Sequence, residues 1–554
     1  MQEAGDRKKA EFRMNRRIDI DMEELTMDQA ELNEEKINAE NPGTAGHFPT
    51  EGEAGEATSP GPQPRKYKIH SIRYNALMSL ILKMSGFLFP LLTLPYMTRI
   101  LHTESYGRVS FVDSVIVYFT LAASLGIPSY GVRACAMVRD DEQRLARTAK
   151  ELLILNIISM VIMYAVFVGC VLGIPRFRED QSLLMVSSLA VILQTFGMEW
   201  FFQAIEQYGY MTVRNLCFKV VYILLLVLFV RSPRDCMQYC AVTVFGTAGY
   251  NLVNVLRIRK LINLRQKTPI ELKPHLKPVL LLFFYYAATT IYTNMDMVML
   301  GFLTNSRVVG NYAVALKIQH LLASAVTVLG AVALPRVSYF LAHGQKEEFR
   351  QLIRKSLSCV LLLSVPLAVY FNMEAKPVIM ILAGVRFRDA ISSLRWIVPS
   401  VIFIGLSSVT AWQILVPMEK DKVTVVGAVG GAVLDCILNL LLIPKYGAVG
   451  AAIGTLCAEA FVLLVHVVYL RGLIWKALDL TEVLKIAAST LISAGLLHIM
   501  NLNFTSSHNS VICIGTAILF FGTYGVCCLL MQEKLVMEAI RVVAEWVVRL
   551  HEME

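Results

Sequence analysis

The chain has 554 residues, 55% of them hydrophobic and only 17% charged, with a formal net charge of +9. Soluble domains carry roughly 25% charged residues, so a large soluble fold is excluded and a polytopic membrane protein is the reading that remains. The charge is uneven: residues 1–74 are net acidic by four, which leaves +13 on residues 75–554, a balance suited to basic loops, anionic lipids or an anionic substrate.

Residues 1–64 are rich in Glu, Asn, Gly and Pro, and the expectation for 1–74 is a disordered cytoplasmic tail. No apolar stretch of signal-peptide type precedes Pro60. The basic run 65–73 then leads into the first apolar segment. That segment carries Lys83 about 12 Å inside it at 1.5 Å per residue, Pro90 and Pro95, which are expected to interrupt its hydrogen bonding, and Arg99 at its far end. A plain anchor would avoid these features, because a charge near the bilayer centre costs roughly 3 kcal/mol or more.

Apolar runs of about 20 residues predict an all-α integral membrane fold of fourteen spans, from 76–99 to 510–531. The Lys- and Arg-rich loops 131–150, 257–277 and 335–355 alternate with loops poor in both, which predicts cytoplasmic termini. Loop 374–395 departs from the pattern with Lys376, Arg386, Arg388 and Arg395 and suggests a re-entrant piece. The expected organisation is a six-helix bundle over 75–256, a basic linker over 257–277, a second bundle over 278–470, and two extra helices with a cytoplasmic C-terminus over 471–554. The two halves rhyme where Tyr106-Gly107 can be laid beside Val309-Gly310, and YGAVGAAIG (446–454) repeats the idea; glycine is expected there to permit tight turns. Two similar bundles around a midplane site form a common transporter plan.

Ionisable residues within spans are the main functional signal. Lys83, Lys219, Lys317 and Arg99 are the candidates for an anion-attracting cavity that would favour phosphate; snorkelling or structural pairing is the alternative for each. Asp435 and Asn439, at i and i+4, share one helix face. With Asp296 and Glu459 they form a candidate coupling site for a hard cation or a proton; internal salt bridges are the alternative. His320 and His466 read as packed polar residues, and the Tyr and Phe clusters as lipid-facing. The eleven cysteines, mostly in apolar runs and without metal-ligand spacing, read as small hydrophobes. No phosphate loop, GxSxG, HExxH or CxxC constellation is present, so an enzyme is not expected. The acidic tail gives no support to nucleic-acid binding.

The run from Phe89 to Asp141 resembles the opening of Wzx-type polysaccharide flippases, members of the multidrug, oligosaccharidyl-lipid and polysaccharide exporter superfamily. It has Pro90 and Pro95, then Arg99-Ile100-Leu101, the Tyr106-Gly107 turn and Tyr130–Arg133. Asp296, Gly301, Gly310, Tyr312, Lys317 and the Leu-Pro-Arg at 334–336 carry the likeness into the second half. The resemblance implies a V of two six-helix bundles, often with two extra helices, in a bacterial cell membrane. It also implies an undecaprenyl-diphosphate-linked oligosaccharide as substrate, moved to the outer leaflet for capsule, exopolysaccharide or cell-wall assembly. Lys83, Arg99, Lys219 and Lys317 are then the diphosphate candidates. The expected driving force is an ion gradient of Na+ or H+, with no cofactor, and polymerases and glycosyltransferases of the same pathway are the expected partners. A cation-coupled multidrug antiporter and a lipid-linked peptidoglycan precursor flippase are the alternatives within the fold. An integral-membrane enzyme would need a larger outside loop than any here.

Overall fold

The computed structural model describes residues 71–263, 269–503 and 510–541, and every regular element in them is helical. The expected acidic tail, up to residue 70, lies outside the described residues. The first half comprises α1 (Ile72–Ser124), α2 (Ile127–Met137), α3 (Glu142–Gly173), α4 (Pro175–Glu179), α5 (Gln181–Gly197), α6 (Glu199–Ala204), α7 (Tyr208–Phe229), α8 (Cys236–Val244) and α9 (Tyr250–Leu261). The second comprises α10 (Lys273–Leu303), α11 (Ser306–Ala342), α12 (Lys346–Met373), α13 (Ala375–Leu382), α14 (Ala390–Ile397), α15 (Ser400–Val409), α16 (Asp421–Tyr446), α17 (Ala448–Tyr469) and α18 (Arg471–Ala477). Two more, α19 (Leu480–Asn503) and α20 (Ser510–Leu530), follow. Among the described residues ten helices are long and apolar enough to cross a membrane. One of them, 74–137, covers the ground of two expected spans.

The expected break at Pro90 and Pro95 does not occur: α1 runs through both. The sharp bend falls instead at His102, whose φ of 58° is the sole non-helical point in α1. Nearby hydroxyls share the local backbone acceptors, Thr93 donating to the Phe89 carbonyl at 3.0 Å and Thr98 to the Leu94 carbonyl at 2.9 Å. The loops expected at 131–150 and 335–355 are largely helix as well. Only 138–141 and 343–345 separate α2 from α3 and α11 from α12, and Asp141 caps α3 by accepting from the Gln143 and Arg144 amides at 2.9 and 3.0 Å. Helices prolonged in this way reach past the hydrocarbon layer, where their Lys and Arg find water.

Gly107 and Gly310 do not make turns. They let two helices touch backbone to backbone. A Cβ on Gly107 would sit 1.7 Å from the Ser306 carbonyl oxygen, and one on Gly310 would sit 2.1 Å from that of Thr103. The turn that does need glycine is at Gly447, where a φ of 56° joins α16 to α17. There Gly450 lets α17 come within contact of the Leu442 backbone, at 2.5 Å from a built Cβ.

The two halves meet along α1, α10 and α11. The shared core joins Met97, Leu101 and Phe111 of α1 to Leu300 of α10 and Tyr312 and Ile318 of α11, all at most 2% exposed. Around the Gly107–Gly310 contact the halves are sewn together by polar bonds. Thr98 donates to the Leu382 carbonyl (3.1 Å), Thr103 to that of Arg386 (2.9 Å), and Arg176 to that of Gly301 (2.8 Å). Segment 374–395 thus supplies α13 and the 3₁₀ turn Val385–Phe387, which lie on the first half. At the other end of the molecule Glu151 accepts from the Glu271 amide at 2.9 Å and pairs with His275 at 3.0 Å, fastening the start of α10 to α3.

Overpacking a filled core costs about 1–3 kcal/mol, and more where backbone must move. Gly310→Val is therefore expected to lower the unfolding temperature in detergent, or to abolish folded protein. Gly86→Ala, at a glycine with open space around its Cα, is expected to leave it unchanged or slightly raised. Equal melting temperatures for Gly310→Val and wild type would refute the close-contact account.

Candidate functional site

The four basic candidates do not share one place. Lys83, Lys219 and Lys317 each lie eleven residues into their helices, roughly 16 Å along them at 1.5 Å per residue. Lys219 on α7 donates to Ser85 Oγ of α1 at 2.8 Å and sits 5.3 Å from the centre of the Phe89 ring. Lys83 is exposed and, two residues before Ser85, projects from the opposite side of α1. Lys317 is exposed on α11 and lies within electrostatic reach of Asp113 on α1, so the pair spans the two halves. Arg99 stands apart, three residues before the His102 bend of α1, where its guanidinium donates to the Ile381 carbonyl at 3.1 Å.

The acidic candidates converge. Asp296 of α10 is 4% exposed and accepts from three side chains: Asn439 Nδ2 at 2.9 Å, Thr455 Oγ1 at 2.6 Å, and the Tyr312 hydroxyl. Asp435, one turn before Asn439 on α16, is 1% exposed and within hydrogen-bonding reach of Asp296. Close packing of α17 makes this possible: a Cβ on Gly454 would lie 2.6 Å from Asn439 Oδ1 and 3.0 Å from Asp435 Oδ1. Asp296, Asp435 and Thr455 line a cavity of about 300 Å³ inside the second half, with Glu459 one turn beyond Thr455 and Gln319 and His320 facing them from α11.

The cluster is rich in acceptors and poor in donors. Both oxygens of Asp435 and Oδ1 of Asn439 are buried and receive no donor among the described residues. Leaving such groups unsatisfied costs about 1–3 kcal/mol each, and more when charged. Two adjacent carboxyls, an amide oxygen and a hydroxyl are a donor set that a small hard cation or a proton completes. No trio of His, Cys, Asp or Glu among the described residues is close enough to hold a metal ion, so a site built on carboxylates alone does not form. Tyr312, which the sequence marked only through the family likeness, and Thr455, which it did not mark because hydroxyls are common in apolar helices, complete the cluster.

The remaining membrane charges are structural pairs. Arg214, 3% exposed at its side chain, pairs with Glu199 at 3.0 Å and with Asn254. Arg108 and Arg176 hold the buried Asp180 at 2.6 and 3.2 Å. His466 shares a hydrogen bond of 2.9 Å with Thr410 and, like the cluster above, belongs to the interior of the second half.

Comparison with known proteins follows the same lines. The family model described as polysaccharide biosynthesis protein matches residues 72–341. The chain is similar to a protein of Escherichia coli (strain K12) named "Putative O-antigen transporter", 22% identical over 408 residues that make up 73% of this chain and 97% of the other. Among solved structures it is similar to "Lipid II flippase MurJ, inward closed conformation" (TM-score 0.65, 14% identity, 84% of this chain and all of that one). It also resembles an inward-facing multidrug resistance MATE family transporter (TM-score 0.57, 15% identity, 72% of this chain and 98% of that one). At these identities the structural likenesses speak for the fold alone. The family model over 72–341 and the likeness to nearly the whole of that relative support a place for the chain among the Wzx-type polysaccharide flippases.

Proposed function

We propose that the protein moves a lipid-linked oligosaccharide from the inner to the outer leaflet of the cell membrane, as a transporter without a catalytic step. The observation that carries this reading is the exposed Lys317, eleven residues into α11, opposite Asp113 of the other half. An exposed ammonium there has reason to persist only where water or an anion meets it. With Lys219 it supplies positive charge for a diphosphate, while the sugar takes the wet space between the bundles and the prenyl chain stays in lipid; Lys83, on the opposite side of α1, lies away from this pair. The basic loops orient the termini to the cytoplasm. The bonds of Thr98, Arg99, Thr103 and Arg176 across the halves then close the outer face, while at the cytoplasmic end the halves are joined through Glu151 and the start of α10. Arg99 serves the outer closure.

Alternating access requires that a seal of this kind break and reform. We assign the energy to a Na+ or H+ gradient acting at Asp296, Asp435, Asn439 and Thr455, with Glu459 at the margin of the same cavity. Because α10 carries Asp296 and also begins on the first half at Glu151, a change in charge at the acid pair is felt where the halves meet. A multidrug antiporter would use the same acid pair but would not need the lysines.

Vesicles carrying an undecaprenyl-diphosphate oligosaccharide in one leaflet, scored by glycosidase access from the other side, test the substrate. Wild type is expected to transfer it, and Lys317→Ala to slow transfer at least tenfold, about 1.4 kcal/mol in the barrier. Transfer unaffected by Lys317→Ala and Lys219→Gln together would remove the lysines from the substrate path. Drug uptake without glycan transfer would favour the antiporter.

The ion site has its own readout. Ligand at a hundredfold its Kd stabilises the state it binds by about 2.7 kcal/mol. Raising Na+ against choline at constant ionic strength is expected to raise the wild-type unfolding temperature and to leave Asp435→Asn unmoved. If Na+ has no effect while pH shifts the wild type and not Asp435→Asn, the coupling ion is the proton. If neither acts through Asp435, the site does not couple.

A further inference from the structure

At the basic end of the first half, the start of α1, the start of α7 and the last turns of α9 enclose a groove of about 550 Å³. Tyr210, Arg214 and Arg257 form its polar wall; Val213, Cys217 and Val253 form its apolar wall. Two guanidiniums share one aromatic ring: Cζ of Arg257 lies 3.9 Å from the centre of Tyr210, and that of Arg214 lies 5.4 Å from it. Like charges held this close repel unless anions attend them.

Arg214 has its anion in Glu199, at 3.0 Å. Arg257 makes no ion pair among the described residues; its hydrogen bond is a long one of 3.4 Å to Gln207 Oε1. The Nε of both arginines is buried and meets no acceptor among the described residues, and Arg214 as a whole is 5% exposed. The groove therefore holds one uncompensated positive charge and two idle donors, set against a ring that fixes the guanidinium planes. What completes it is a monoanion with several acceptor oxygens.

The apolar wall says where that anion comes from. Val213 is 58% exposed, and exposed Val220 and Leu224 continue its stripe along α7 towards mid-membrane. A headgroup in the groove would lay its hydrocarbon along this stripe. A diphosphate brings two or more negative charges, whereas a phosphodiester brings one and matches the single unpaired arginine. We propose that this groove binds the phosphodiester of an anionic phospholipid in the cytoplasmic leaflet, a lipid site separate from the substrate path. The proposal uses the orientation argued above and no other part of the proposed function.

Native mass spectrometry of the full chain in detergent, titrated with phosphatidylglycerol or phosphatidylcholine, tests it. Wild type is expected to bind one phosphatidylglycerol at least tenfold tighter than phosphatidylcholine. Arg257→Gln should abolish that preference, and Arg259→Gln, about 200° around the same helix, should keep it. Val253→Trp fills the apolar wall without touching a charge and should weaken phosphatidylglycerol at least fivefold at an unchanged unfolding temperature, which decides the matter if Arg257→Gln fails to fold. Equal affinity for the two lipids, or full phosphatidylglycerol binding in Val253→Trp, overturns the proposal. So does displacement of phosphatidylglycerol by a lower concentration of undecaprenyl diphosphate in an Arg257-dependent manner. That result would make the groove a substrate site and leave the flippase reading standing.

Discussion

Everything else in the fold is arranged around the place where α1 and α11 touch without side chains between them. Dispersion forces fall off steeply with distance, and in lipid no hydrophobic effect pulls helices together, so small residues at a crossing determine which helices can associate closely. Gly107 and Gly310 bring two backbones into van der Waals contact. The tyrosine and valine beside them, Tyr106 and Val309, are buried in the same core. The hydroxyl and guanidinium bonds to carbonyls of α13 and α10 gather around this point. They satisfy polar groups that would be costly in a bilayer and do not drive the contact, because each is interchangeable with water once the halves part.

The charges divide into two populations. Those at helix ends are neutralised in place: Arg214 by Glu199, Asp180 by two arginines, Glu151 by Arg147 and His275. Those at mid-depth are not. Lys317 is open to its surroundings, and Asp435 keeps two oxygens without donors. A protein that only needed to be stable would have no cause to keep the second population, since replacing such groups with apolar ones is often neutral or stabilising. The two mid-depth sites differ in sign, an ammonium on α11 and a carboxyl pair reaching from α10 to α16.

Much of this was legible in the sequence where the physics is local. Bulk apolarity and alternating Lys and Arg are properties of segments, and membrane class follows from them. The i, i+4 spacing of Asp435 and Asn439 is a property of one helix and is the one the structure has. Contacts between distant segments were not legible. Arg99 faces a carbonyl 282 residues away, and Thr455 reaches Asp296 from 159 residues on. Glycines at 107 and 310 looked like turn residues because the pattern of small residues is the same for a turn and for a close crossing; only the partner backbone distinguishes them. The bend itself falls on His102, which no propensity would choose. Loop limits were misjudged because basic residues mark where a helix leaves the membrane, not where it ends.

The length of α11 has a mechanical consequence. Its 37 residues make a rod of roughly 55 Å, nearly twice the hydrocarbon thickness of about 30 Å, and Gly310 sits only four residues from its start. A fulcrum so near one tip turns the remainder into a long arm: a tilt of about 10° about Gly310 sweeps the far tip, about 48 Å away at 1.5 Å per residue, through roughly 8 Å. Motions of less than 1 Å at the glycine crossing are thereby geared up to the width of a sugar ring at the other end.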